Sequence, residues 1–497
     1  MNHLEKLRTL SKEIALLEGT SSLLHWDQET HMPEKAATHR GEQLKVLSGL
    51  IHQKKTSSTY RKALNQLIDL ETGEILVKGI SDEERAALVE WRRDYRIESA
   101  LPKKFVEEFA KLTSDATVAW RAARTENSFS TFSPFLEKIV KMTRKRIDYL
   151  GYKENPYDAM IDLFEPQMTT KEIVKLFTPL REKVTTLLKQ ILAKPQVDDR
   201  FLFGNFDRDK QIAFSHKLLE AMHYDLTRGQ LDFSAHPFSS ATHPNDARIT
   251  TRIHPTSLLS NISVILHEAG HALYEMGLPL AQFGTPLAAA CSHGIHESQS
   301  RLWETRIGKS RPFWHHFLPE LKKHFPQLDA ITLDTFYQAI NRVEPGFIRV
   351  EADEVTYSLH IILRFELELA LLDGSLKVKN LPEAWNQKMN ELFGITPPSN
   401  KEGCLQDIHW ALGAFGYFPS YTLGNLYCAH LFEAYTEERP TWEKEITAGQ
   451  LLPLKEWLGD KVHRFGRRYS SHELLQRAGG KPFTADAYIR YLTTKYH

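Results

Sequence analysis

The chain carries no surplus of charge of either sign, since across 497 residues 63 Lys and Arg face 63 Asp and Glu. Non-specific nucleic-acid binding draws on a basic surplus that releases counterions, so that class is disfavoured and no nucleic-acid partner is expected. Cysteine is scarce. Cys291, Cys404 and Cys428 are an odd number, far apart and without C-x-x-C spacing, which argues against a disulfide framework and against a cysteine-built zinc knot. Long apolar runs are missing: nothing approaches the roughly 18 consecutive apolar residues of a membrane span. The start, Met1-Asn2-His3-Leu4-Glu5-Lys6, enters charged residues with no apolar stretch of the kind a signal peptide needs. These absences predict an unprocessed cytoplasmic protein with no membrane attachment.

Gly/Ser-rich and Pro-rich linkers are missing too. Length alone suggests about three domains, but without linkers the simpler expectation is one domain over 1–497, with a helical part to about 225 and a second part from about 226. What is present supports a large core, because 41% of residues are hydrophobic and 10% aromatic. Histidine is the unusual count, at 23.

Apolar spacing of three and four predicts helices over about 3–25, 33–53, 57–75, 80–95, 102–125, 130–150, 170–193 and 208–223. Ser81-Asp82-Glu83-Glu84 and Thr169-Thr170-Lys171-Glu172 look like helix starts. Between about 225 and 255 the pattern breaks into turns and β-branched alternation, which predicts a loop and a short strand pair. Helical spacing returns at 256 and runs to the end, apart from an irregular stretch at about 396–425. The fold class expected is mainly α with a small β-sheet.

His267-Glu268-Ala269-Gly270-His271 is an H-E-x-x-H sequence. On a helix, residues four apart share a face, so both imidazoles can hold one metal ion while the Glu takes a proton from an activated water. The helix is expected: Pro255-Thr256-Ser257 offers a start, Leu258, Ile262, Ile265, Leu266, Ala269, Leu273 and Met276 form an apolar stripe, and Gly277 and Pro279 end it. A random chain of this composition contains the pentapeptide with a probability of roughly 7%, so the motif alone does not separate a metal site from two histidines on a polar face. Gly270, costly inside a helix, lets something approach closely. A third ligand has two sources downstream: Glu297, at the start of a second expected helix, or the acids Glu351, Asp353 and Glu354.

These residues belong to an ordered series through which the chain resembles the thermostable carboxypeptidases of the carboxypeptidase Taq family. His236-Pro237-Phe238 is similar to the family's H-P-F, and Asp246 to Thr250 to its D-x-R-x-T. His267 to His271 is its H-E-x-x-H, and His296 to Gln299 is similar to H-E-S-Q. Ile348 to Asp353 and Gly403 to Trp410 are similar to I-R-x-x-A-D and G-x-x-Q-D-x-H-W. The segments Leu24 to Pro33 and Gly416 to Tyr421 extend the likeness to nearly the whole chain.

The resemblance implies an elongated helical fold with a deep central groove, similar to neurolysin-like and angiotensin-converting-enzyme-like peptidases. It implies a homodimer that removes C-terminal residues from peptides with broad specificity. His267, His271 and Glu297 carry over as metal ligands and Glu268 as general base. Zn²⁺ is the default metal for two His and one Glu, and Co²⁺ or Mn²⁺ suit similar ligands. Tyr421 and His409 are the candidate donors to the oxyanion, as in the related helical peptidases. Exopeptidase action needs a cation for the free carboxylate, and Arg349 is preferred over Arg248 for it, Arg248 being left for groove closure or for pairing with Asp246. His236, Asp353 and Asp407 are expected to support the site, the carboxylates by orienting imidazoles. Two other functions compete: an endo-acting oligopeptidase, and a peptide-binding scaffold that keeps a metal site without turnover.

Overall fold

The structure is a computed structural model that describes residues 3–195 and 197–496. Its elements are overwhelmingly helical. Most follow the apolar spacing closely: His3–Thr30, Ala37–Lys55, Asp82–Ala100, Lys103–Glu126, Phe129–Leu150, Thr170–Leu192 and Arg208–Ala221. Both expected acidic starts work as reciprocal caps. Ser81 accepts from the Glu84 backbone while the Glu84 carboxylate accepts from the Ser81 backbone, and Thr169 and Glu172 do the same.

The helix expected over 57–75 stops early, at Ser58–Asn65. The Asp69 carboxylate accepts from the backbone of Glu71 and Thr72 and from the Thr72 hydroxyl, and Gly73 has φ +80°, so the chain reverses and Ile68 pairs with Ile75. A local turn that satisfies the backbone overrides the helical period.

The 225–255 region holds three strands rather than a pair: β1 (Leu231–Phe233), β2 (Ser239–His243) and β3 (Asp246–Thr251). Their order is β1-β3-β2, with β3 antiparallel to β2 and parallel to β1. β3 buries Ala247 and Ile249 and packs on the Leu258–Gly277 helix, which carries the H-E-x-x-H sequence. The irregular stretch ends at 418, because Pro419–Glu438 is a helix that begins just before Tyr421.

The chain divides into two compact units, each discontinuous in sequence. The first comprises Met1–Ser99, Asp198–Ile340 and Leu431–Pro482; the second comprises Ala100–Val197, Asn341–His430 and Phe483–His497. In the first, the Leu258–Gly277 helix is nearly encircled, which fits its high apolar content: Ile262, Ile265, Leu266, Ala269, Leu273 and Met276 are all buried. In the second, the Tyr357–Asp373 helix is buried along most of its length and packs on Leu381–Phe393.

Candidate active site

In the first unit, the Leu258–Gly277 helix presents His267 and His271 on one side, four residues apart. Glu297 comes from the helix His293–Arg301, where it sits in the second turn, because Ser292 rather than Glu297 caps the start by accepting from the Ile295 backbone. Gly270 is what lets the two helices meet. A Cβ there would stand 2.7 Å from the Ser300 Cα and 2.8 Å from the Gln299 carbonyl, closer than real Cβ contacts come. The close approach expected of this glycine is therefore made by a neighbouring helix.

The result is a compact donor set. Glu297 Oε2 lies 3.7 Å from His267 Nε2 and 3.4 Å from His271 Nε2, and the three ligand atoms all lie within 4.8 Å of one another. Bonds of about 2.0–2.1 Å in a tetrahedron put neighbouring donors about 3.4 Å apart, so the set fits one small divalent ion. Both imidazoles are also oriented correctly. His267 Nδ1 is held by Glu304 Oε2 at 2.9 Å and His271 Nδ1 by the His296 carbonyl at 3.1 Å, which leaves both Nε2 atoms directed at the shared point. Ser300 donates to Glu297 Oε2 at 3.1 Å, and Arg301 donates to Glu304 Oε2 at 2.7 Å.

The electrostatics agree with a cation-binding site. Burial works against charge on His267, yet the carboxylates of Glu297 and Glu304 outweigh it and raise its pKa to about 9. Burial holds the His271 imidazole neutral, down to about 3. Burial opposes ionisation of Glu297 as well, but His267 and His271 bring it down to about 2. The buried Glu268 is pushed up to about 7, chiefly by desolvation and partly by Glu297, with His267 opposing. A carboxyl near neutrality suits an acid–base role.

Arg248 and His236 lie on the sheet side of the same unit. Arg248 is tied to Asp246 through two bonds, of 2.6 and 3.0 Å, and its guanidinium lies 5.9 Å from the Trp26 ring. His236 is exposed in the turn between β1 and β2, its carbonyl accepting from Ser234.

In the second unit, the structure brings His409 and Tyr421 together, with His409 Nε2 3.2 Å from the Tyr421 hydroxyl. Burial keeps His409 neutral, lowering it to about 4; Asp407 opposes the shift while Arg349 and Arg364 add to it. Asp407 does not orient this imidazole as expected. Its carboxylate is 3.9 Å from His409 Nδ1, too long for a hydrogen bond. Instead Arg349 Nη2 reaches Asp407 Oδ1 at 2.8 Å and Arg364 Nη2 reaches Asp407 Oδ2 at 2.7 Å. Burial alone would raise Asp407, but the two guanidiniums hold it far below the usual carboxylate range. Arg349 spends three of its five N–H donors here, two on Asp407 and one on the Tyr357 hydroxyl at 3.1 Å. Asp353 serves its own turn: it accepts from the backbone of Val355 and Thr356, from the Thr356 hydroxyl, and from the Glu344 backbone.

Glu304, Arg301 and Arg364 are residues the sequence reading passed over. Glu304 carried a signal, since it follows Glu297 by seven residues, two helical turns, and so returns to the same side. Arg364 carried none, because nothing local marks a buried arginine that shares a carboxylate 43 positions away.

A sequence profile described as carboxypeptidase Taq (M32) metallopeptidase matches residues 6–496. The chain is 38% identical to carboxypeptidase 1 of Bacillus subtilis (strain 168) over 491 residues, covering 98% of this chain and 96% of that protein. It is also 38% identical to thermostable carboxypeptidase 1 of Thermus thermophilus over 503 residues, covering 99% and 98%. The crystal structure of the M32 carboxypeptidase from Deinococcus radiodurans R1 superposes with a TM-score of 0.96 at 35% identity, over 100% of this chain and 99% of that one. With the two His and one Glu converging on one point and a buried Glu beside them, the chain belongs to the carboxypeptidase Taq family of metallopeptidases.

Proposed function

We propose that the protein is a metal-dependent carboxypeptidase that releases C-terminal residues from peptides with broad specificity. The observation that carries the hydrolytic part is the cluster of His267, His271 and Glu297, with both Nδ1 atoms already engaged and Glu268 buried beside it. His267, His271 and Glu297 would hold one divalent metal, and Zn²⁺ is the ion their chemistry favours, with Co²⁺ and Mn²⁺ as alternatives. When bound, that ion supplies a Lewis acid that acidifies water and polarises the scissile carbonyl.

The remaining steps fall to the chain's own groups. Glu268 accepts the proton of the attacking water at its carboxylate and returns it to the leaving amine nitrogen. Glu304 and the His296 carbonyl hold the imidazoles in the tautomer that leaves Nε2 free. Tyr421, its hydroxyl set by His409, is the donor to the oxyanion, with His409 Nε2 as its partner in that role.

Exo-action needs a cation that stays available. Two buried arginines share the single Asp407 carboxylate, a local surplus of one positive charge, and Arg349 keeps two N–H donors beyond the bonds it makes. Arg349 is therefore the residue for the substrate carboxylate. Arg248, neutralised by Asp246, is assigned to ordering the sheet, and His236 to its exposed turn. The enzyme is further proposed to be a cytoplasmic homodimer acting on peptides with a free C-terminus. Cys291, Cys404 and Cys428 are buried and in no disulfide, which fits a reducing compartment, and no described helix is long and apolar enough to cross a membrane.

Timed mass spectrometry of one peptide, as its free acid and as its C-terminal amide, tests this reading. Stepwise loss of single residues from the acid, little loss from the amide, and silence of both with a chelator are expected. Equal cleavage of acid and amide would remove the role of Arg349 and favour an endopeptidase.

A further inference from the structure

Among the described residues the His409 side chain makes one hydrogen bond, between Nε2 and the Tyr421 hydroxyl at 3.2 Å. Its Nδ1 is buried and meets no hydrogen-bond partner there. The imidazoles of His267 and His271 are each held at Nδ1. With no such bond, the orientation of His409 has to come from the chain that carries it, the irregular stretch that ends at 418, where no helical or strand ladder fixes the backbone.

Glu368 pins this stretch at two points. The residue lies on the Tyr357–Asp373 helix, one turn beyond Arg364, and is fully buried. Its Oε1 accepts from Trp410 Nε1 at 2.8 Å, and its Oε2 accepts from the Gly416 backbone at 2.9 Å and from the Tyr157 hydroxyl. Trp410 follows His409 directly and Gly416 comes shortly before Tyr421, so the two pins lie between the members of the pair. Gly416 is confined from the other side as well: its φ is +86°, and a Cβ there would stand 2.5 Å from the Met160 carbonyl carbon. The His409 ring packs on Phe418, just past the second pin, with centroids 4.5 Å apart. All of these residues belong to the second unit.

A carboxyl is an expensive choice for this position. Arg364, the nearest cation on the same helix, directs its bonds to Asp407, Gln406 and the His360 carbonyl instead. Burial pushes Glu368 up to about 7 against the pull of its three donors. An apolar side chain would fill the space at lower cost, but only a carboxylate offers two acceptor oxygens and no donor.

We propose that Glu368 is the positioning residue of the oxyanion pair: by holding Trp410 and Gly416 on one carboxylate, it fixes His409 and Tyr421 at the separation their role requires. It touches no reacting atom. The proposal rests on reading Tyr421 and His409 as the donors to the oxyanion.

Glu368→Gln keeps the shape but brings an NH2 group that must face one of the two N–H donors, so one pin is lost. The test is kcat and KM for a free-acid peptide with the parent, Glu368→Gln, Tyr421→Phe and the double variant, at about pH 8, where the parent carboxyl is ionised. Thermal midpoints establish that each variant folds. Tyr421→Phe should lower kcat by about 100–1,000-fold, as loss of an oxyanion donor does. Glu368→Gln should lower kcat by about 10–100-fold with KM little changed, since a misplacement of about 1 Å costs up to about 100-fold. In the Tyr421→Phe background the same change should cost almost nothing more, because residues that act as a unit are not additive. A carboxylate that only supports the fold would cost the same factor in both backgrounds, and that result overturns the proposal. So does a folded Glu368→Gln enzyme with the parent's kcat. Undiminished kcat in Tyr421→Phe overturns instead the oxyanion reading beneath it. If Glu368→Gln does not fold, Trp410→Phe removes one pin from the loop side and faces the same outcomes.

Discussion

Glu304 holds one member of the candidate ligand set without belonging to it. Its Oε2 holds His267 Nδ1 at 2.9 Å and is itself held by Arg301 at 2.7 Å, so the imidazole has neither a second tautomer nor a second orientation. Glu304→Gln keeps the shape but loses the charge, and it should weaken metal affinity by about 10–100-fold, as loss of such partners does. Competition with a fluorescent chelator measures it; unchanged affinity would remove Glu304 from the account. At this scale the sequence was most legible where chemistry demands fixed spacing. The four-residue separation of His267 and His271 marked a possible metal face, and the ordered motifs around it, not the spacing alone, separated that reading from two histidines on a polar face and Glu297 from the later acids. Asp407 was read for the wrong partner, because an acid two residues from a histidine looks like its orienting group, whereas in three dimensions two arginines from distant segments reach it first.

At the scale of elements, the site depends on how closely two helices can run. Gly270 faces the backbone of Gln299 and Ser300, not flexible side-chain ends, so a methyl group there has nothing to displace cheaply. Two effects oppose each other in Gly270→Ala: the helix gains about 1 kcal/mol in propensity, and overpacking against backbone costs about 1–3 kcal/mol or more. The second should win. A lower thermal midpoint and weaker metal binding are expected, because His293–Arg301 must shift and take Glu297 with it. A variant as stable as the parent with full metal affinity would contradict the contact. The helices themselves were legible, since apolar periodicity survives in nearly all of them. The turn at Asp69 to Gly73 was hidden because its hydrogen bonds are local while its apolar spacing mimics a helix, and β1 is only three residues long, too short for alternation to register.

At the scale of the molecule, two features bear on stability. Asp407 is ionised between Arg349 and Arg364, with a folded pKa far below its ordinary value of about 3.9. The sign follows: its stabilisation is complete above about pH 4 and is lost as the pH falls below that toward the folded pKa. Asp407→Asn should cost about 3–5 kcal/mol near pH 7, since it leaves buried arginines without their counter-charge. The gap between variant and parent should narrow as the pH drops toward 2. Denaturant titrations at several pH values measure it, and a gap independent of pH would show that shape, not charge, is what Asp407 supplies. The second feature is the division of each unit among separated stretches of sequence, which composition cannot reveal because no linker marks a boundary.

The central claim is that Glu268 performs proton transfer beside a metal held by His267, His271 and Glu297. Glu268→Gln tests it most directly, with metal content read by mass spectrometry and residue release from a free-acid peptide followed over time. The account predicts one metal ion per chain, as in the parent, and release slowed by at least about 100-fold. Retained metal with undiminished release would contradict it.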